Sequence, residues 1–539
     1  MMTMINELRM TGLNSTVTNP FEVRLGTMAV WKKPDLTLPL LLIFLGSIFM
    51  ILCLRRFTEN GDGLPVVGRA FMLEPSFITR LRFAFKSRDI LTDAYQKYNG
   101  TPYRLIRGDT NFVVLPSDYT TELNRLSQEV LNSRACHAFS LCGHLNGMNV
   151  VLHTDLHVRA LLSTITPSLP RFTGPASQRI GESMNQILPQ DSNRWTEVDL
   201  MNKFAIIGGQ ALALSVVGSP LCDNAEFMQL LNENTEDVFF LVFIMRLLPR
   251  ILQYSVVWFL PAKWRLWWRH KRIEGIVATE FERQKTQPTN LAASDGSPLP
   301  SIFTCMKETK KENTLDSGVL TQLLTAISAG GTFSVANFIF AFILDILAHP
   351  HFLKDIREEI QQKNTQVDGE WNFNAFEELP RLDSALKETS RLAPGSLTTY
   401  SRVVMRDYKL SGGLTLRKGQ FICVDSSSRA ADDEVYPNAG HYDALRSYNG
   451  GLEDHLVQPF KGVYGTDFRW GAGRRACPGR YLASILMKII IVKLLDEYDF
   501  EACHQGRKES FSMHEFSGIR PETKVKLRRR KVSLGIFGV

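Results

Sequence analysis

The tightest restriction on this chain is a run of apolar residues from 315 to 347, with helical spacing and apolar side chains on nearly every face. At 1.5 Å per residue it predicts a helix roughly 50 Å long. A helix that is apolar all round must be covered all round, so it belongs at the centre of a large domain. His349-Pro350 ends it, because proline lacks the backbone donor and its ring clashes with the preceding turn. Residues 351–364, 379–392 and 481–498 also carry helical apolar spacing, and Pro394 stops the second of these. Residues 403–410 and 420–424 read as short strands. Residues 286–301 lack periodicity and read as a loop before the long helix. The expected fold class is mainly α (α+β), a long central helix with small β-sheets, and no internal repeat is evident.

The N-terminal part is organised differently. Residues 36–54 contain no charge, and 19 such residues are close to the roughly 20 needed to span a bilayer as a helix. The reading is a tail (1–35), a transmembrane helix (36–54), a basic Gly-Pro hinge (55–68) and a folded domain (69–539). Lys32 and Lys33 before the apolar run balance Arg55 and Arg56 after it, so flanking charge does not set orientation. A cleaved secretory signal fits poorly, since 35 residues precede the run and no small-residue cleavage site follows. Asn14-Ser15-Thr16 would be a glycosylation acceptor if the tail were lumenal.

A net charge of +7 over 539 residues is mild. The dense basic runs, 265–272 and 528–531, read as solvated surfaces, so no nucleic-acid partner is expected. The first run interleaves Trp264, Trp267 and Trp268, a composition that also suits a membrane surface. The eight cysteines are scattered with no CxxC pair, which excludes a disulfide framework or a zinc site.

One of them stands apart. In Trp470-Gly471-Ala472-Gly473-Arg474-Arg475-Ala476-Cys477-Pro478-Gly479-Arg480, the glycines allow tight turns and close approach of backbone to a flat ligand. Pro478 suits the first position of a helix, which places Cys477 at a helix N-terminus. There the helix dipole and the N–H groups of Gly479 and Arg480 would favour a thiolate. Arg474 and Arg475 would suit a carboxylate-bearing cofactor. The loop alone fits a structural cysteine in a glycine turn equally well.

The spacing from Trp470 through Gly473, Arg475 and Cys477 to Gly479 resembles the haem-binding loop of the cytochrome P-450 family, with Trp470 where the family usually has phenylalanine. Glu388-Thr389-Ser390-Arg391 is similar to the family's Glu-x-x-Arg helix, and Tyr442–Arg446 to the segment that brings a second arginine to the same carboxylate. The order of these motifs along the chain adds to the likeness. The resemblance implies the cytochrome P-450 fold, haem b with Cys477 as axial ligand to iron, and a structural network of Glu388, Arg391 and Arg446. It also implies propionate contacts from Arg475, Arg402 and Arg159.

In the long helix the family pattern is a small residue, Gly, any residue, an acid and Thr. Counting back from His349 puts Ser334 at the threonine position and Phe333 at the acid, although Thr332 is the tempting match. Ser334 and Thr332 are both carried as catalytic candidates. Phe333 in place of the acid questions the usual proton delivery, unless its side chain only packs. The implied activity is monooxygenation of a hydrophobic small molecule, with NADPH used only through a separate NADPH-cytochrome reductase. The phrases LPRLDSALKETSRLAP and SRVVMRDYKLSGG look most like the fungal branch that oxidises polycyclic terpenoids. A single-pass protein of the endoplasmic reticulum bilayer with a cytosolic catalytic domain follows by the same resemblance. The alternatives are a haem-thiolate isomerase or dehydratase needing no reductase, and a non-catalytic membrane haem protein.

Overall fold

The computed structural model describes residues 63–536, apart from 72–73, 287–298, 309–316, 451–457, 466 and 504–509. The expected tail, transmembrane helix, Asn14 and most of the hinge lie outside the described residues.

Helices that position the site are α1 (Ser76–Tyr98), α2 (Leu200–Val216), α3 (Ala225–Met245), α4 (Pro261–Thr286), α5 (Ser317–Ala348), α6 (Pro350–Gln366), α7 (Pro380–Leu392) and α8 (Arg480–Glu497). The long apolar run is α5. Helices α2, α3, α4, α7 and α8 all pack on it, which is why it can be apolar on every side. Leu323, Leu324, Ala336, Ile339 and Phe340 in it are fully buried. Each such large side chain contributes about 1.5–3 kcal/mol through removal from water. Among the described residues α5 is the one helix long and apolar enough to cross a membrane, but 61% of its most apolar window is buried in protein. It is a core helix.

Close packing on α5 depends on Gly331, because a Cβ there would collide with Leu212 of α2. Buried polar side chains interrupt the apolar surface, among them Thr321, Thr332, Asp345 and Asn337. Asn337 is buried, and its Oδ1 accepts the Ile519 N–H at 2.9 Å.

The main sheet joins β1 (Val66–Val67), β2 (Tyr103–Arg107), β3 (Thr110–Val114), β4 (Leu131–Asn132), β5 (Thr398–Val404) and β6 (Phe421–Asp425) in the order β1-β2-β3-β6-β5-β4. Val66–Val67 pairs with Arg104 and Leu105, so folded structure begins inside the expected hinge. The strand expected at 403–410 instead spans Thr398–Val404. There Thr398, Tyr400, Arg402 and Val404 share the buried face. The register shifts between Thr399 and Arg402, and Tyr400 takes a φ of +55°. That irregularity is a bulge in the sense of an extra residue on one strand, and the alternate burial of side chains runs through it unbroken. Near the C-terminus β7 (Ser510–Met513) and β8 (Phe516–Ile519) form an antiparallel hairpin turning at His514 and Glu515.

Candidate active site

Cys477 sits in the turn that leads into α8. The helix itself starts at Arg480, with Gly479 as its N-cap and the first helical bond running from Ala483 N–H to the Gly479 carbonyl. Pro478 therefore lies in the turn before the helix and not at its first position. Loop closure is by backbone: the Cys477 N–H donates to the Trp470 carbonyl at 2.7 Å. Trp470 is anchored in turn, its indole N–H donating to the Phe460 carbonyl at 2.8 Å while the two rings meet edge to face.

The sulfur of Cys477 accepts from the backbone N–H groups of Gly479 and Arg480. Burial pushes the Cys477 thiol up, and those donors with the Arg480 charge offset only part of this. The expected lowering by the helix start is thus outweighed by desolvation. A bound metal cation would reverse the balance, since it deprotonates a coordinating thiol. Cys477 lies deep in the domain yet keeps an open side. The two facts agree if the sulfur looks into an enclosed space.

Gly473 holds a φ of +63°, and a Cβ there would collide with the Asn124 side chain. Left-handed backbone plus that clash costs a non-glycine residue about 1–3 kcal/mol. Gly473→Ala is expected to shift the loop and lower the haem-loaded fraction of purified protein, with helix content by circular dichroism unchanged.

The arginines provide the test of fit for a dicarboxylate cofactor. Arg402 is 8% exposed, and its one hydrogen bond among the described residues goes to the Ser401 carbonyl at 2.9 Å. Its guanidinium lies 4.2 Å from the Tyr400 ring centre. Burial depresses its pKa, and Arg475, close enough to act on it, adds like-charge repulsion. A buried cation beside a second cation, with no carboxylate on either among the described residues, is costly alone and suits an anionic group placed between them. Cysteine sulfur, paired N–H donors and two unmatched arginines fit haem b. Arg159 is arranged otherwise: it is 56% exposed and bonds Asp155 at 3.0 Å, so it has a carboxylate of its own.

Glu388, Arg391 and Arg446 meet. Arg391 grips Glu388 through two bonds of 2.9 and 2.7 Å, Arg446 Nε reaches both carboxylate oxygens at 3.1 Å, and the Asp443 N–H adds a third partner at 3.0 Å. The spare arginine donors bind the carbonyls of Ala430, Ala439, Pro437 and His441. The network thereby ties α7 to the segment ahead of the cysteine loop.

On α5, Gly330 and Ser334 are exposed in the middle of a buried helix, one turn apart. They mark the face of α5 that borders open space. Thr332 points elsewhere: it is buried, packs against Gly209 of α2, and its hydroxyl has no hydrogen-bond partner among the described residues. Phe333 packs on Phe239 of α3 at 5.2 Å between ring centres.

Sequence reading missed an ion cluster at the C-terminal hairpin. Glu515 binds Arg107 of β2 and Arg246, the residue after α3. The only local signal was a His514-Glu515 pair between apolar residues.

A family model described as Cytochrome P-450 matches residues 75–528. Cytochrome P-450 monooxygenase AN1598 of Emericella nidulans is 28% identical over 494 residues, covering 91% of this chain and 92% of the relative. An ent-kaurene oxidase of Gibberella intermedia is 26% identical over 487 residues, covering 87% and 88%. Among solved structures, retinoic acid bound cyanobacterial CYP120A1 superposes with a TM-score of 0.62 at 16% identity, over 86% of this chain and 99% of that one.

Proposed function

Because the chain belongs to the cytochrome P-450 family, we propose that it is a membrane-bound monooxygenase that hydroxylates a polycyclic terpenoid, of diterpene or indole-diterpene type, in fungal secondary metabolism. Monooxygenase activity with haem b on a cysteine thiolate, and NADPH electrons delivered through a separate reductase, come with the family. The reaction balances as R–H + O2 + NADPH + H+ giving R–OH + H2O + NADP+. The observation that carries the reading is the Cys477 sulfur beneath two backbone N–H donors, with Arg402 and Arg475 unmatched by any acid among the described residues.

Haem, when bound, supplies the oxygen chemistry, which a thiolate ligand favours by donating electron density. Cys477 would hold the iron, and Arg402 and Arg475 would hold the propionates. Ser334, on the open face of α5, keeps a hydroxyl in reach of that space and holds the proton that the family's acid and threonine would otherwise handle. Phe333 does not compete for that face, because it turns to Phe239. Fungal relatives that include an ent-kaurene oxidase support a polycyclic terpenoid as the substrate class.

Contact with a bilayer is supported by the surface from α3 to α4. Ile251 and Phe259 are 80% and 85% exposed, and Trp258, Trp264, Trp267 and Trp268 are each more than half exposed. The basic residues between them are not a free patch: Arg265 and Arg269 bind Asp237, and Arg272 binds Glu226. The tryptophans are left outermost, as suits the headgroup layer.

Incubation of the full chain in membranes with a reductase, NADPH, 18O2 and ent-kaurene or an indole-diterpene is expected to give a product carrying one labelled oxygen. No labelled product from any polycyclic terpenoid, while the haem is intact and reducible, would remove the substrate class. Conversion of these terpenoids without NADPH would support the isomerase or dehydratase alternative.

A further inference from the structure

We propose that a polar cavity between α7 and the stretch leading into the cysteine loop binds a small, doubly charged oxyanion of phosphate type. The cavity measures about 160 Å3 and is partly open. A buried water needs roughly 10–15 Å3 of such space, so an oxyanion fits there with water around it. Cys477, Arg402, Arg475 and Ser334 do not line it, so it is separate from the haem and oxygen side of the domain.

Charge decides what the cavity can hold. Lys387, Arg391, Arg429, Arg446 and Arg469 line it, against two carboxylates, Glu388 and Asp467. Glu388 is already shared by Arg391 and Arg446, so that wall keeps a positive excess. Asp467 is taken by Nη2 of Arg469. The Nε and Nη1 atoms of Arg469 are buried and have no hydrogen-bond partner among the described residues.

Lys387, on α7, is the second unmatched cation. Its side chain is buried, and its ammonium makes no hydrogen bond among the described residues, lying instead 5.6 Å from the Tyr464 ring centre. Burial pushes its pKa down to about 8, and the nearby Arg469 charge pushes the same way. Asp383 and Asp467 offset only part of this, because each has a closer cation, Lys488 at 2.8 Å for the first and Arg469 for the second. Like charges held together out of water are costly until an anion joins them. Guanidinium N–H groups and a lysine ammonium both form strong charge-assisted bonds to phosphate oxygens. Arg469 stands one residue before Trp470, whose carbonyl takes the Cys477 N–H at 2.7 Å. An anion held by Lys387 and Arg469 therefore ties α7 to the cysteine loop.

The test is calorimetric titration of the haem-loaded full chain with inorganic phosphate, at ionic strength held constant with sodium chloride. The native chain is expected to bind one phosphate saturably and to melt at a higher temperature with it. Lys387→Met removes an unmatched cation without leaving a carboxylate alone, and is expected to weaken phosphate binding about tenfold or more. Lys354→Met makes the same charge change on the exposed side of α6 and is expected to leave the affinity within about twofold. Should Lys387→Met fail to fold, Asp467→Asn with Arg469→Met removes an ion pair at unchanged net charge and carries the same expectation. Absence of saturable phosphate binding by the native chain overturns the proposal. A folded cavity variant that keeps the native affinity overturns it as well. Equal weakening in Lys387→Met and Lys354→Met does so too, since only the net charge of the protein would then matter.

Discussion

Cys477→Ala is expected to abolish the strongly red-shifted Soret band of the reduced carbon monoxide complex and to bring NADPH-dependent turnover to background. The change should leave the fold in place. Closure of the loop uses the Cys477 backbone N–H and the Trp470 carbonyl, which alanine retains. The Glu388 network and the Trp470–Phe460 contact do not involve the sulfur. Removing a thiol that has an open side should therefore change the unfolding free energy of the haem-free protein by no more than about 0.5 kcal/mol. Thermal unfolding of the haem-free forms beside the carbon monoxide spectra separates the two effects. A red-shifted band that persists in the alanine variant would remove Cys477 as the iron ligand.

Glu388→Gln should act in the opposite way, through stability first. The side chains of Glu388, Arg391 and Arg446 are 2%, 5% and 16% exposed. Neutralising the carboxylate leaves two largely buried guanidiniums without a counter-charge. Breaking a buried pair by removing one partner costs about 3–5 kcal/mol. Domains of this kind are commonly stable by only about 5–15 kcal/mol, so much of the protein should be recovered without haem or aggregated. The pH dependence has a definite sign. Burial alone would raise the Glu388 pKa, but Arg391, the Asp443 N–H and Arg446 outweigh it and hold the carboxyl below its ordinary range. A depressed carboxylate stabilises the fold fully above the unfolded value of about 4.3 and loses that contribution as pH falls below it. The gap in melting temperature between the native chain and Glu388→Gln should be widest near neutral pH and narrow below about pH 4. A constant gap across that range would mean the charge is not what stabilises the network.

Legibility in the sequence followed the distance over which each feature is made. The cysteine loop occupies a short stretch, and its glycines, arginines and aromatic must stand at set spacings. Helix α5 was legible because a surface apolar all round has one stable location. The Glu388 network was readable only through the order of motifs, and its geometry, with Asp443 N–H and the surrounding carbonyls drawn in, was not. The strand carrying Arg402 was placed several residues late, because its buried face carries polar Thr398 and Arg402, so burial alternates where hydropathy does not. For Arg159, Asp155 one turn earlier takes its guanidinium, an i,i+4 pairing that helical spacing makes available.

Thr332 and Ser334 show the boundary most clearly. Residues two apart on a helix point about 200° apart, so one register places one hydroxyl toward the site and turns the other away. The sequence by itself determined that a hydroxyl lies near the middle of a buried helix and that Cys477 sits where a metal-binding thiolate would. Only the tertiary structure decided which hydroxyl borders open space, because that depends on α2 covering Thr332. It alone also brought Glu515 to Arg107 and Arg246, 408 and 269 residues away. A buried ion pair leaves no periodic trace in a chain, since its energy comes from desolvation and distance and not from spacing along the backbone.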